Sequence, residues 1–554
     1  MLAATDATRS APAYESPHGF DQDLAALLGY RRSSVGQLAC PGLLQAGSCG
    51  DGRCDADGET SDSCPSDCVK RLVGAYNDMP ICPHYVEAYD PTSIEEVQRL
   101  VRAAVREGKR VRVLGASHSA SGVICGDGVA LRMGHLADVT KTELRDSVAY
   151  VQPGVTMIEL GDYLYKRGLS IGYTQLGFRG VTVAGVLGTS AHGSSSLHSA
   201  SLSERLVSLQ LVMADGTLRS FHKQSTPEDV WRALTTHLGV FGAVVQVGLA
   251  VEPAFNLDMQ ITTLDEAELL DADGPLHVLE GCDFGQLNWF PTERKIWRWC
   301  GKRSDAAAVD ANNQLLDPGV STSFVPFAKT LSQAGLCWPS VNAMLEKARF
   351  ASLPYTPPIL TKDDHGDQHH VDRAVGPGHR MMSGDLIALG PHKVFSTDFE
   401  VAIPQQHIAS ALRIARQVFD AHHISLPGVG AFLRFTKIER GGWLTYHGAG
   451  EQFVEGETAM FFETPVVIPV GFTDAQLRDY LYPYEQLLTL FIRYFGARCH
   501  WGKNSARLFD VQTAHGTYAG RIEKVNAVLA ELDPYGVFSN DFASRIGMRW
   551  PKRD

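Results

Sequence analysis

Apolar positions along the chain follow two alternating rhythms. Val97, Leu100, Val101 and Val105 recur at the spacing of one helical face. This segment opens on Pro91-Thr92-Ser93-Ile94-Glu95-Glu96, so Ser93 is the expected N-cap and Glu96 its capping-box partner. The next run, Val111-Arg112-Val113-Leu114, is short and predicts a buried strand. Met157–Arg167 repeats the helical rhythm. Up to Ala254, short strands alternate with short helices, the pattern of an α+β domain. Further on, Leu276–Phe284, Glu293–Gly301, Lys393–Ile403 and Val429–Thr436 predict strands. Helical patches lie near Val325–Leu336 and Val341–Ala351, inside the stretch Asp305–Pro391. Helices over Ala475–Phe495 and Thr517–Leu532 close the chain. Residues 1–35 are mixed and expected to be poorly ordered, apart from a short helix over Asp21–Tyr30.

Length and charge narrow the class. With 554 residues the chain exceeds what one core sustains, so more than one domain is expected. The net charge of -12 argues against nucleic acid or an anionic membrane as the main partner. No apolar run is long enough for a transmembrane helix. Met1–Ser16 lacks the apolar core of a secretory signal. The cysteines point the other way, toward a secreted protein or a secretory compartment. Of 11, five crowd into one segment as Cys40, Cys49, Cys54, Cys64 and Cys68, the density of a disulfide-stapled module over residues 36–69. Cys82 could complete an even set of six there. The spacing lacks a paired C-x2-C, which disfavours zinc. The run Cys49-Gly50-Asp51-Gly52-Arg53-Cys54-Asp55 followed by Cys64-Pro65-Ser66-Asp67-Cys68 resembles a Notch-type cysteine-rich repeat. Asp51, Asp55, Asp57 and Glu59 are hard oxygen ligands that could hold a calcium ion, or else simply solvated carboxylates.

Candidate chemistry enters at two small-residue loops. Gly115-Ala116-Ser117-His118-Ser119 follows the strand Val111–Leu114, and nothing bulky there keeps backbone N–H groups from a pyrophosphate. Thr182-Val183-Ala184-Gly185-Val186-Leu187-Gly188-Thr189-Ser190-Ala191-His192-Gly193 is the second. Two such loops suggest one long phosphate-bearing cofactor held at two points. Together with Leu211-Val212-Met213-Ala214-Asp215-Gly216, they resemble the FAD-binding domain of the vanillyl-alcohol-oxidase superfamily. Trp289-Phe290-Pro291, Glu400-Val401-Ala402-Ile403-Pro404, His500-Trp501-Gly502-Lys503 and Asp533-Pro534-Tyr535-Gly536 resemble its aldonolactone and alditol oxidase branch.

The resemblance implies an α+β fold. A two-subdomain FAD-binding domain (70–255) is expected, with an antiparallel-sheet substrate cap (256–475) and a C-terminal segment (476–554) that returns to the FAD domain. The extension 1–35 and the disulfide-rich module precede them. It also implies FAD joined by a single covalent bond through His118, since no cysteine lies in Phe178-Arg179-Gly180-Val181-Thr182; Cys125 reads as structural. Gly115, Ala116, Ser117 and Ser119 would meet the pyrophosphate. Gly185, Gly188, Thr189, Ser190, His192 and Gly193 would pass along the other side of the cofactor, and Val244 near the adenine-ribose part. Lys503, with His500 nearby, would stabilise negative charge on the reduced flavin.

The branch places Glu-x-Arg on a cap strand, both residues on one face. This chain has Arg434 but Phe432 in place of the glutamate. An apolar ring there disfavours hydroxyl-rich polyols, because a buried unpaired hydroxyl costs about 1–3 kcal/mol. Glu400 either supplies the carboxylate or only pairs with Arg434 or another cation. Tyr446 and His447 are candidate bases or a solvated loop pair. The leading function is an FAD-dependent oxidase that takes hydride from a C–H beside a hydroxyl of an alcohol or lactone and passes electrons to O2. The alternatives are an oxidase of a less polar alcohol or secondary metabolite, and a secreted binding protein with an inert flavin fold.

Overall fold

The computed structural model describes residues 19–30, 82, 85, 87–174, 180–271, 274–313, 339–352, 354, 357–363, 365–384, 396–426, 429–468 and 474–551. The Cys40–Cys68 module, its candidate calcium ligands Asp51, Asp55 and Asp57, and the helical patch at Val325–Leu336 lie outside them.

The helix expected after Pro91 runs over Ile94–Arg106, with Ser93 Oγ accepting from the Glu96 N–H at 3.2 Å. The Glu96 carboxylate reaches back to the Thr92 N–H rather than that of Ser93. The buried face is Val97, Leu100, Val101 and Ala104, while Val105 turns outward. Helix Met157–Tyr165 has the full capping box, Thr156 with Glu159. Val111–Leu114 sits in a three-stranded parallel sheet, beside Val129–Arg132 and then Glu87–Tyr89. A five-stranded antiparallel sheet of Glu143–Arg145, Val148–Val151, Ala243–Ala250, Leu206–Val212 and Leu218–His222 completes this half.

The other half is an eight-stranded antiparallel sheet among the described residues. Its order is Arg373–Pro377, Asn256–Asp265, Lys295–Ser304, Phe284–Phe290, Ala431–Lys437, Thr458–Val467, Ser396–Pro404 and Arg498–Cys499. Phe284–Phe290 is buried along its whole length, its polar Gln286 and Asn288 included. The strand expected over Leu276–Phe284 is instead the short helix Gly274–Val278 and a turn. Gly281, at φ +74°, breaks the run, and the strand begins only at Phe284.

Two contacts fix the site. The last strand of the sheet, Arg498–Cys499, carries the chain on to Gly502, whose carbonyl accepts from the N–H groups of Ala120 (2.8 Å) and Ser121 (3.3 Å). The Ser121 hydroxyl donates to the Trp501 carbonyl. The far edge of the cap is thereby bonded to the first small-residue loop.

Cys82 bonds Cys125, so it does not complete a set within the cysteine-rich module, and Cys125 is structural. Cys282 bonds Cys300 across the neighbouring strands Phe284–Phe290 and Lys295–Ser304. The short helix expected over Asp21–Tyr30 forms over Phe20–Gly29 and is docked. Phe20 and Leu27 are buried against the body, and His422 Nε2 lies 2.9 Å from the Leu27 carbonyl oxygen. Tyr30 stacks on Tyr482. Leu27→Ala should therefore destabilise the protein by about 2 kcal/mol or more. A denaturant midpoint equal to wild type would show that the helix contributes nothing.

Candidate active site

The two small-residue loops meet face to face. A Cβ on Gly115 would fall 2.3 Å from Thr182 Oγ1 and 3.5 Å from the Gly185 Cα, so only glycine permits the approach. Thr182 caps helix Val183–Thr189, its Oγ1 accepting from the Gly185 N–H. Ser117 and Ser190 both adopt the left-handed conformation, at φ 55°. The loops line one end of a cavity of about 300 Å³. Gly115, Ala116, Ser117, His118 and Ser119 are on its wall, as are Gly185, Gly188, Thr189, His192 and Val244. Ser190 and Gly193 are not among the lining residues. Ser190 ends the helix as its C-cap, and the Gly193 N–H donates to the Ala200 carbonyl.

Whether this end fits an anionic cofactor is tested by Arg112, which sequence reasoning passed over. Arg112 is buried and lines the cavity. Its Nη1 donates to the Leu238 carbonyl at 2.8 Å and its Nη2 to that of Val123. Among the described residues its Nε has no partner and no carboxylate pairs with it. An uncompensated buried cation is costly. A diphosphate in the cradle beside it supplies the missing negative charge. The residues present thus fit the pyrophosphate of FAD.

The opposite end is a network of four charges. Lys503 Nζ donates to Glu400 Oε2 at 2.8 Å and to Glu463. Arg434 Nη2 donates to Glu400 Oε2 at 3.2 Å and to Glu463. Glu400 Oε1 accepts from the Tyr446 hydroxyl at 3.0 Å and lies 2.9 Å from His192 Nε2. Burial works to raise the Glu400 carboxyl, but Lys503 beside it holds it well below the usual range. Asn504 grips the same residue by its backbone, accepting from the Glu400 N–H and donating to its carbonyl. Glu400 pairs with Arg434 and with Lys503. Arg434 and Lys503 line the cavity, and Glu400 stands behind them.

Two carboxylates do line the cavity, Asp398 and Glu463, and Glu463 is the one opposite Phe432 in the strand register. A lone glutamate in the apolar run Phe461-Phe462-Glu463 was the available signal. Tyr446 and His447 are fully buried, not a solvated pair. His447 is not among the lining residues, and neither ring nitrogen has a hydrogen-bond partner among the described residues, so it is not placed to take a proton from a ligand. Burial holds His447 well below its usual pKa, and draws His118 down to about 4 and His500 down to about 3. His118 and His500 line the wall as neutral rings at physiological pH.

Comparison with known proteins gives this arrangement its class. Residues 88–222 match the sequence family described as an FAD-binding domain, so the cradle belongs to a flavoprotein. Residues 247–546, more than half of the chain, match D-arabinono-1,4-lactone oxidase, and the chain belongs to that family of FAD-linked oxidases. It is 24% identical to L-gulonolactone oxidase of Mus musculus over 476 residues, covering 83% of this chain and 94% of that one. It is 25% identical to a probable L-gulonolactone oxidase of Arabidopsis thaliana over 521 residues, covering 86% and 81%. Among solved structures it resembles a solvent-stable cholesterol oxidase, with a TM-score of 0.66 at 17% identity, covering 86% of this chain and 97% of the other.

Gly115→Val places methyl groups where Thr182 Oγ1 already lies. Overpacking of this kind costs about 1–3 kcal/mol, so FAD retention should fall by roughly tenfold. A wild-type ratio of flavin to protein in the purified variant would show that the loops do not form the cradle.

Proposed function

We propose that this protein oxidises a hydroxyl-bearing lactone or a related alcohol, with FAD held covalently through His118 and dioxygen as the electron acceptor. The observation that carries the reading is that His118, Lys503 and Arg434 line one cavity, although they come from distant parts of the chain. FAD, when bound, supplies the hydride-accepting ring. The chain supplies the rest. His118 stands on the cavity wall, and burial keeps its imidazole neutral, with one ring nitrogen unprotonated. Lys503 places a cation at the inner end of the cavity, where it stabilises negative charge as it develops. Among the described residues the buried Nε of Arg434 has no partner, and the side chain is suited to orient a substrate oxygen. Met382, Val429, Phe432 and Pro465 form an apolar stretch of the same wall, which favours a ring or chain with one less polar face.

The substrate is a lactone by analogy with the names of the relatives. Two disulfides in the body, Cys82–Cys125 and Cys282–Cys300, support an oxidising compartment, and we propose that the protein is secreted or resides in a secretory compartment.

The covalent link is tested by acid precipitation. The pellet should stay yellow, a flavin-bearing peptide should contain residue 118, and His118→Ala should release its colour to the supernatant. Colour entirely in the wild-type supernatant would disprove the link. Turnover is tested by peroxide release on aldonolactones, open-chain polyols and simple alcohols. Lactones should lead, and Arg434→Ala should lower their turnover more than tenfold, about 1.4 kcal/mol in barrier. No peroxide from any of the three classes would sink the oxidase reading.

A further inference from the structure

Three carboxylates gather about Lys503 and Arg434: Asp398, Glu400 and Glu463. Asp398 lines the cavity opposite Pro465, away from Phe432 in the register. The other two, bridged by both cations, differ in how much hydrogen-bonding capacity remains. An ionised carboxylate offers about four acceptor sites, two on each oxygen. Glu400 has all of them engaged: Oε1 faces Tyr446 and His192, and Oε2 faces Lys503 and Arg434. It also stands behind the wall. Glu463 carries one cation on each oxygen, Lys503 on Oε1 and Arg434 on Oε2. One acceptor site per oxygen remains, and Glu463 lines the cavity.

Its neighbour completes the picture. Phe432 and Glu463 are direct partners in adjacent antiparallel strands, and such partners project from the same face, about 4.5–5.5 Å apart at Cβ. Phe432 also lines the cavity, and the Arg434 guanidinium lies 5.3 Å from the centre of its ring. An apolar ring and a carboxylate with two spare acceptor sites therefore face a ligand side by side.

Building on the oxidase reading, we propose that Glu463 is the substrate-recognising carboxylate of this site. It accepts hydrogen bonds from two adjacent hydroxyls of a ring substrate, whose C–H face packs on Phe432. The apolar wall at Phe432 thus does not exclude hydroxyl-rich substrates. The acceptor that Phe432 cannot provide comes from the next strand. A ligand without those hydroxyls leaves a desolvated carboxylate only half engaged, and a site built to bond a hydroxyl rejects the analogue lacking it.

The test uses the flavin-loaded enzyme, a lactone with two adjacent ring hydroxyls, and its deoxy analogue lacking one of them. Wild type should prefer the hydroxylated lactone at least tenfold in kcat/KM. Glu463→Gln, which also loosens Arg434 and Lys503, should slow both lactones but cut that preference to about twofold, the larger loss falling on the hydroxylated lactone through its KM. Glu463→Asp keeps the charge between Arg434 and Lys503 but withdraws the oxygens by one methylene. It should show the same selective loss, and it decides the matter if Glu463→Gln does not retain flavin. Equal losses on both lactones, or a wild type that does not discriminate between them, overturn the role of Glu463. Turnover of both lactones by wild type would still stand in that case, so this failure is distinct from failure of the oxidase reading.

Discussion

The buried carboxylate of Glu400 is the interaction on which the site depends. Four groups converge on it from parts of the chain that are far apart in sequence: His192 from the second loop, Arg434 from a central cap strand, Tyr446 from the loop that follows, and Lys503 from the C-terminal segment. Taking a charge out of water is tolerable only when cations and donors replace the water. Glu400 meets that condition by holding these groups in one place. Removing one partner of a buried pair costs about 3–5 kcal/mol, because the other charge is left behind. The same force that offsets the burial of Glu400 therefore orders the cations facing the cavity.

The backbone supports this arrangement. The strand Ser396–Pro404 that carries Glu400 lies between Thr458–Val467, which carries Glu463, and Arg498–Cys499, which leads to Lys503. Glu400 and Glu463 are paired in register, so two carboxylates stand side by side. Like charges in such a pair are destabilising. Lys503 and Arg434 each bridge both, which turns a repulsive pair into a closed set of opposite charges. A site of this kind is rigid, and rigidity is what a preorganised electrostatic environment requires.

Much of this was legible in the chain because it is local. The small-residue loops, the helix caps and the cations Arg434 and Lys503 are written in short motifs, and the structure brings most of the loop residues and both cations to one cavity. What was not legible depends on pairing between distant segments. Phe432 read as an exclusion of hydroxylated ligands, because nothing in its own strand shows that Glu463 lies across from it. Arg112 sat inside a strand pattern and drew no reading of its own, because the carbonyls of Val123 and Leu238 that hold its buried guanidinium come from elsewhere in the chain. Tyr446 and His447 follow a glycine-rich turn that resembles a surface loop. That turn is folded under the cap, with Thr445 bonded to Thr236 of the FAD domain. Helix Phe20–Gly29 gave no sign of docking because its partner is the helix Asp474–Phe495, at the other end of the chain.

That docked helix has a topological meaning. Tyr30, at its end, is stacked onto Tyr482, and Cys82 is covalently held to Cys125 beside the first cofactor loop. The chain is thus held to the body at Tyr30 by side-chain packing and again at Cys82 by a sulfur–sulfur bond. A single cut between these two anchors would release neither side of the break from the protein.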